Sequence, residues 1–345
     1  MRRSNRFFLA AAPAVVAAAA LAPGTASAAV VSASGGVATY QAAPGEANGV
    51  FPLVVNGALQ IRETNASVPL AAGQGCVIIA VRTAQCTGAG STRVALGDGN
   101  DVYYGTGPGF TPAAVDGGPG NDIFFDGDGA LRRETYVGGT GTDTANYFLT
   151  AAPVRLSLNG VADDGQGGEA DFIASDVENL TGGQGADVLT GNNANNSLRG
   201  EGGADRLSGL GGNDFFEEGL SASGADLISG GAGTDRVRYA ERNVGVRVSL
   251  DGAANDGAPG EGDNVIPDVE QITGSQQADV LIGSSLANTV FGLGGNDTIN
   301  PLGGADAVHA GDGNDLINSR DGVRDLVRGD AGTDTFQRDL IDDVA

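Results

Sequence analysis

One phrase recurs along most of this chain and leaves few folds open to it: a glycine-rich turn, an aspartate, and usually a large apolar residue two positions further on. Copies stand as LGDGNDVYY from Leu96, GGPGNDIFF from Gly117, GGTGTDTAN from Gly138, GGQGADVLT from Gly182 and GEGGADRLS from Gly200. Others follow as GLGGNDFFE from Gly209, GGAGTDRVR from Gly230, GLGGNDTIN from Gly292, PLGGADAVH from Pro301 and AGDGNDLIN from Ala310. Glycine at this density blocks long helices. A unit of nine residues that buries one apolar side chain recovers only a fraction of the backbone entropy it must give up. Such units become stable by stacking on one another.

The spacing of the aspartates says how they stack. Asp187, Asn196, Asp205 and Asp214 are nine residues apart, as are Asp279, Asn288, Asp297, Asp306 and Asp315, and the pairs Asp226/Asp235 and Asp325/Asp334. If each unit is one turn and one short strand, two complete a coil, and residues eighteen apart share an edge. Asp187 then lies over Asp205, and Asp279, Asp297 and Asp315 form a row, with Asp306 on the opposite edge beside Asn288. Asp101, Asp122 and Asp143 are 21 apart, which predicts wider coils with one regular and one irregular edge.

A longer duplication lies over the short one. VRLSLNGVADDGQGGEADFIASDVENLTGG from Val154 matches VRVSLDGAANDGAPGEGDNVIPDVEQITGS from Val246 at an offset of 92 residues. The larger unit is therefore a strand, an acidic excursion, a return segment and several nonapeptides. In the strand, Val246, Val248 and Leu250 are expected to point inward, with Arg247 and Ser249 outward.

Charge narrows the function. With 43 Asp and Glu against 19 bases, all Arg, the net charge is -24, so nucleic acid is excluded as a partner. There is one His, no Trp, no HExxH, no GxSxG and no Cys-His pairing, and the chain is read as a non-enzyme. His309 is expected to face solvent on a strand. Arg132, Arg133, Arg236, Arg238 and Arg242 are expected to be surface partners of nearby acids.

The GGxGxDxUx phrase resembles the secreted RTX (repeats-in-toxin) calcium-binding proteins, over roughly residues 96 to 337. The resemblance implies an all-β fold, a parallel β-roll or β-solenoid, with several calcium ions held between successive turns. It implies metal ligands at Asp101, Asp122, Asp143, Asp187, Asp205, Asp214, Asp226, Asp235, Asp279, Asp297, Asp306, Asp315 and Asp334, with Asp187 acting with Asp205 and Asp297 with Asp315. The residue types suit that ion. Calcium takes six to eight oxygens, a glycine turn can expose several carbonyls, and aspartate adds a short carboxylate. Asn196 and Asn288 would make weaker sites. Two carboxylates about 5 Å apart repel by roughly 3 kcal/mol at an effective dielectric near 20, so stacking such rows is expected to require the cation, and folding to be coupled to calcium. The excursion acids, Asp163, Asp164, Glu169 and Asp171 in one and Asp256, Glu261 and Asp263 in the other, are read as solvated loops.

The ends complete the organisation. Arg2, Arg3 and Arg6, an apolar run from Phe7 to Ala22, and Ala26-Ser27-Ala28 read as an export signal over residues 1–28. No later stretch is long and apolar enough to span a bilayer as a helix, and an extracellular or cell-surface location is expected. Residues 29–95 are expected to form a β-rich cap in which Cys76 and Cys86 close a hairpin through a disulfide, followed by the calcium-binding roll over 96–345. Two alternatives stay open: a calcium-dependent polysaccharide lyase or epimerase, and a calcium-bridged adhesin with a cell-wall or extracellular polysaccharide as partner.

Overall fold

The computed structural model describes residues 28–105, 113–126, 133–220 and 224–344. The export signal expected over 1–28 and Arg132 lie outside the described residues, except for Ala28. Every element among the described residues is a strand or a turn, and no helix is long and apolar enough to cross a membrane.

The nonapeptides coil into a parallel β-roll. Its spine is a sheet of 16 strands, of which those from Val102–Gly105 to Asp343–Val344 are parallel neighbours, one per coil. Successive coils pair in strict register, Tyr103 beside Phe124, Phe124 beside Ala145, and Leu198 beside Phe216. The residue two places after each repeat aspartate is the inward one. Tyr103, Phe124, Leu198, Phe216, Val237, Val290 and Val308 are fully buried in this way. They meet Leu189, Leu207, Ile228, Leu281, Ile299 and Ile317 from the opposite face, also fully buried or nearly so. Each coil thus adds two apolar side chains to one continuous filling, the arithmetic that a lone nonapeptide cannot satisfy.

The opposite face is not continuous. It is divided among sheets of seven, six and five strands, and the breaks fall where the duplicated excursions enter. The strand Val154–Ser157 opens a new sheet beside Val188–Thr190, and the chain then turns back so that Phe172–Ile173 closes the previous sheet beside Thr135–Thr140. The second copy does the same with Arg247–Ser249 and Asn264–Val265. Val246, Val248 and Leu250 are buried, and so is Ser249. Its outward placement is corrected, because the excursion folds over that face and Asp256 Oδ1 accepts the Ser249 N–H at 2.6 Å.

The N-terminal strands continue both faces. Val37–Gln41 runs parallel to Ser91–Ala95, and Gly49–Val55 begins parallel to Val102–Gly105 before turning antiparallel with Ala58–Glu63. Cys76–Ala80 and Thr83–Cys86 form the outermost hairpin of the long sheet, with Cys76 paired to Cys86 and their sulfurs bonded.

Candidate metal centres

The repeat aspartates line the two edges of the roll, side chains turned inward. Asp101, Asp122, Asp143, Asp187, Asp205, Asp214, Asp226, Asp235, Asp279, Asp297, Asp306 and Asp315 are each at most 3% exposed, while Asp334, in the last turn of its row, is half-buried.

What holds them is a ladder. On the edge beside the continuous sheet, the Asp101 N–H donates to Asp122 Oδ1 at 2.9 Å, Asp122 N–H to Asp143 Oδ1 at 2.8 Å, and Asp143 N–H to Glu178 Oε2 at 2.8 Å. It resumes with Asn196 N–H to Asp214 Oδ1, Asp214 N–H to Asp235 Oδ1, and Asp235 N–H to Glu270 Oε2. It ends with Asn288, Asp306, Asp325 and Asp342 linked in the same way. On the other edge, Asp187, Asp205, Asp226 and Asp263 form one row, and Asp279, Asp297, Asp315 and Asp334 another. The eighteen-residue coil and the pairs Asp187/Asp205 and Asp297/Asp315 are as the spacing implied, and Asp306 does lie beside Asn288.

One oxygen of each carboxylate is spent on the ladder, and the other is the chemically informative one. Oδ2 of Asp101, Asp122, Asp143, Asp205, Asp214, Asp235, Asp297, Asp306, Asp315 and Asp325 is buried with no hydrogen-bond partner among the described residues. A buried acceptor left without a donor is costly, and a row of carboxylate oxygens in that state suits a positively charged ligand. The surroundings are made of oxygen. A Cβ built on Gly117 would collide with Asp122 Oδ2 and stand 2.6 Å from the Gly138 carbonyl oxygen of the next coil. The same two kinds of oxygen meet at Gly182, where Asp187 Oδ2 and the Gly200 carbonyl oxygen lie 2.5 and 2.7 Å from the Cβ position. Only glycine allows these oxygens to pack so closely against the backbone, and carboxylate and carbonyl oxygens brought together are the donor types a hard cation takes. The residues present therefore fit calcium, held by the carboxylate of one turn and carbonyls of its neighbour.

Burial without a counter-ion raises the acids' affinity for protons. Desolvation pushes Asp101, Asp205, Asp297 and Asp306 up to about 7, and Asp122 and Asp214 up to about 6. It raises Asp143, Asp187, Asp235, Asp279 and Asp315 as well.

Asn196 and Asn288 take the same posture with different chemistry. Their Oδ1 atoms accept the Asn192 and Ser284 N–H groups, and their Nδ2 atoms donate to the carbonyls of Glu178 and Glu270 at 3.0 and 3.3 Å. An amide N–H here does part of what a cation does elsewhere. Glu178 and Glu270 occupy the aspartate position in coils that lack a glycine turn, and the nine-residue pattern does not reveal them.

Two other readings are corrected. The excursion acids are not solvated: Asp164, Glu169, Asp171, Asp256 and Asp263 are buried, while Asp163 is exposed. Asp164 Oδ1 and Oδ2 accept the N–H groups of Ser157 and Ile173, and Asp256 does the same for Ser249 and Val265. They tie the excursion to the roll as backbone acceptors. Arg242 is not a surface residue but is 2% exposed, its guanidinium donating to Glu261 Oε1 at 2.6 Å and Glu218 Oε2 at 3.1 Å. Glu218, Glu261 and Asp263 converge within 4.8 Å, and a buried acidic cluster of this kind calls for an internal cation. Arg236 bonds Gln271 and lies over the Phe291 ring, Arg238 pairs with Glu217, and His309 stacks half-buried on Phe291 at 5.2 Å on the outer face.

The model of the RTX calcium-binding nonapeptide repeat matches residues 181–216, 222–240, 273–308, 282–317 and 302–336. No curated protein matches the chain. Asp101, Asp122 and Asp143 fall outside those matches yet share the ladder and the orphaned oxygen. The matched segments are RTX calcium-binding nonapeptide repeats, and the chain is a β-roll built around them.

Proposed function

We propose that this is an extracellular calcium-binding repeat protein whose folding is coupled to calcium and whose role is structural or interactive. The observation that carries this reading is the set of ten buried aspartate Oδ2 atoms, distributed along both edges, that have no hydrogen-bond partner among the described residues. In a polyanion of net charge -24 such rows oppose stacking, and calcium, as a divalent oxygen-seeking ion, would convert repulsion into cross-links between coils. The sites would be formed by Asp101, Asp122, Asp143, Asp187, Asp205, Asp214, Asp226, Asp235, Asp279, Asp297, Asp306, Asp315 and Asp334. The disulfide between Cys76 and Cys86 supports an oxidising location.

The test is a calcium titration of the chelated chain followed by far-ultraviolet circular dichroism and calorimetry. Calcium should restore strand structure cooperatively at free concentrations near 10⁻⁴ to 10⁻³ M, the range of extracellular modules. A chain that is fully ordered at neutral pH in excess chelator, with no heat on adding calcium, would refute the proposal.

A further inference from the structure

Near its C-terminal end the long ladder meets a turn that breaks the repeat. Residues 320–325 read RDGVRD, and Asp325 follows Asp306 by nineteen residues instead of eighteen. The insertion brings in Asp321, which is exposed but held in place. Its Oδ2 accepts the Gly304 N–H of the preceding coil at 3.1 Å, and its Oδ1 accepts the Val323 N–H of its own turn at 2.7 Å. One carboxylate oxygen each from Asp306, Asp321 and Asp325 lie within 4.8 Å of one another. Independently of that convergence, Asp306 and Asp325 are 3% and 1% exposed, and the Oδ2 of each has no hydrogen-bond partner among the described residues. Arg324, the base next to Asp325 in the chain, is paired with Asp343 at 2.6 Å.

We propose that Asp306, Asp321 and Asp325 form a three-carboxylate site for a hard divalent cation, and that it binds calcium more tightly than the regular repeat sites, to which each turn brings a single aspartate. The proposal rests on the calcium reading above but goes beyond the repeat, because Asp321 stands at no repeat aspartate position. Ligand oxygens about 2.3–2.6 Å from a calcium ion can lie up to roughly 5 Å apart, which the trio satisfies. Affinity in oxygen-ligand sites rises with the number of ligand charges and with rigidity. This site has both. Two of its carboxylates are buried in the ladder and the third is pinned by two backbone N–H groups, and its exposure leaves the ion a way in.

The experiment is calcium titration of the full chain, by calorimetry and by competition with a chromophoric chelator, on the wild type, Asp321→Asn and Asp312→Asn. Asp312 is an exposed turn acid outside the trio. The wild type should show one step tighter than the rest. Asp321→Asn should weaken that step on the order of tenfold or more, leaving the weaker sites and the circular dichroism at saturating calcium unchanged, and Asp312→Asn should leave it in place. A tight step that survives Asp321→Asn, or is absent from a wild type that otherwise binds calcium, overturns this site alone. Equal loss in Asp312→Asn also overturns it, since bulk charge would then be the cause. A wild type that takes up no calcium overturns both this site and the calcium reading.

Discussion

The buried aspartates should make the metal-free chain respond to pH in the opposite sense from an ordinary protein. Carboxyls in most folds have lowered pKa values and lose stability on acidification. Here Asp101, Asp205, Asp297 and Asp306 are pushed up to about 7 from an ordinary value of 3.8. A raised folded-state pKa means that the folded chain holds protons the unfolded chain has released, so stability is present below about pH 4 and is lost as pH rises toward 7. Each pKa unit corresponds to about 1.4 kcal/mol, so one such carboxyl costs the metal-free fold on the order of 4 kcal/mol at pH 8. A few of them match the roughly 5–15 kcal/mol that holds a typical domain together. The interval from pH 5 to 8 brackets the values of about 6 to 7 to which the buried rows are raised. Urea unfolding of the chelated chain across that interval should show a midpoint that falls steadily, with strand structure lost at the upper end. In saturating calcium the trend should reverse, the chain being firm at pH 8 and weakening only where protons displace the ion. A chelated chain whose urea midpoint is flat or rises from pH 5 to 8 would refute the reasoning, because the carboxylates would then not be desolvated.

Further expectations concern single residues, each measured by thermal or urea unfolding in saturating calcium. Gly120 has φ 146° and a Cβ there would collide with the Gly99 carbonyl oxygen below, so Gly120→Ala should cost on the order of 3 kcal/mol. Gly160, at φ 66° with open space around it, should tolerate alanine for about 1–2 kcal/mol, and equal losses at the two sites would contradict the stacking argument. Leu302 occupies the left-handed region at φ 71° and is 42% exposed. Leu302→Gly should therefore stabilise by about 0.5–1 kcal/mol, and a fall in midpoint would show that its side chain packs usefully. Arg242→Met should cost about 3–5 kcal/mol by leaving Glu218 and Glu261 without their guanidinium, and a neutral result would show that the guanidinium is not what holds this cluster together.

The roll was legible in the sequence because its physics is periodic. The aspartate sets the edge, the residue two places on sets the core, and the glycine turn fixes the coil length, so three positions repeated over many copies predict Asp187 over Asp205 and Val308 in the interior. Where the coil departs from nine residues the pattern falls silent, although the same forces act. Glu178 and Glu270 enter the ladder from coils with no glycine turn, and their longer side chains reach the N–H groups of Asp143 and Asp235 that an aspartate meets elsewhere. The excursions are richer in acid than the repeats, and composition alone makes them solvated. In the fold Asp164 and Asp256 are instead consumed by backbone N–H groups of strands they cover. Arg242 shows the same limit most sharply. At the matching place 92 residues earlier stands Thr150, so the duplication predicts no role for an arginine there. Its N–H nevertheless donates to the Tyr239 carbonyl as that of Thr150 does to Tyr147. The backbone position is inherited, and only the side chain, reaching into an acidic cluster assembled from residues 24 and 19 positions away, is new. Such a cluster is a property of three-dimensional convergence, which no local phrase records. Departures from the repeat are therefore where the individual chemistry of this roll lies, at Arg242 and at the inserted Asp321 alike.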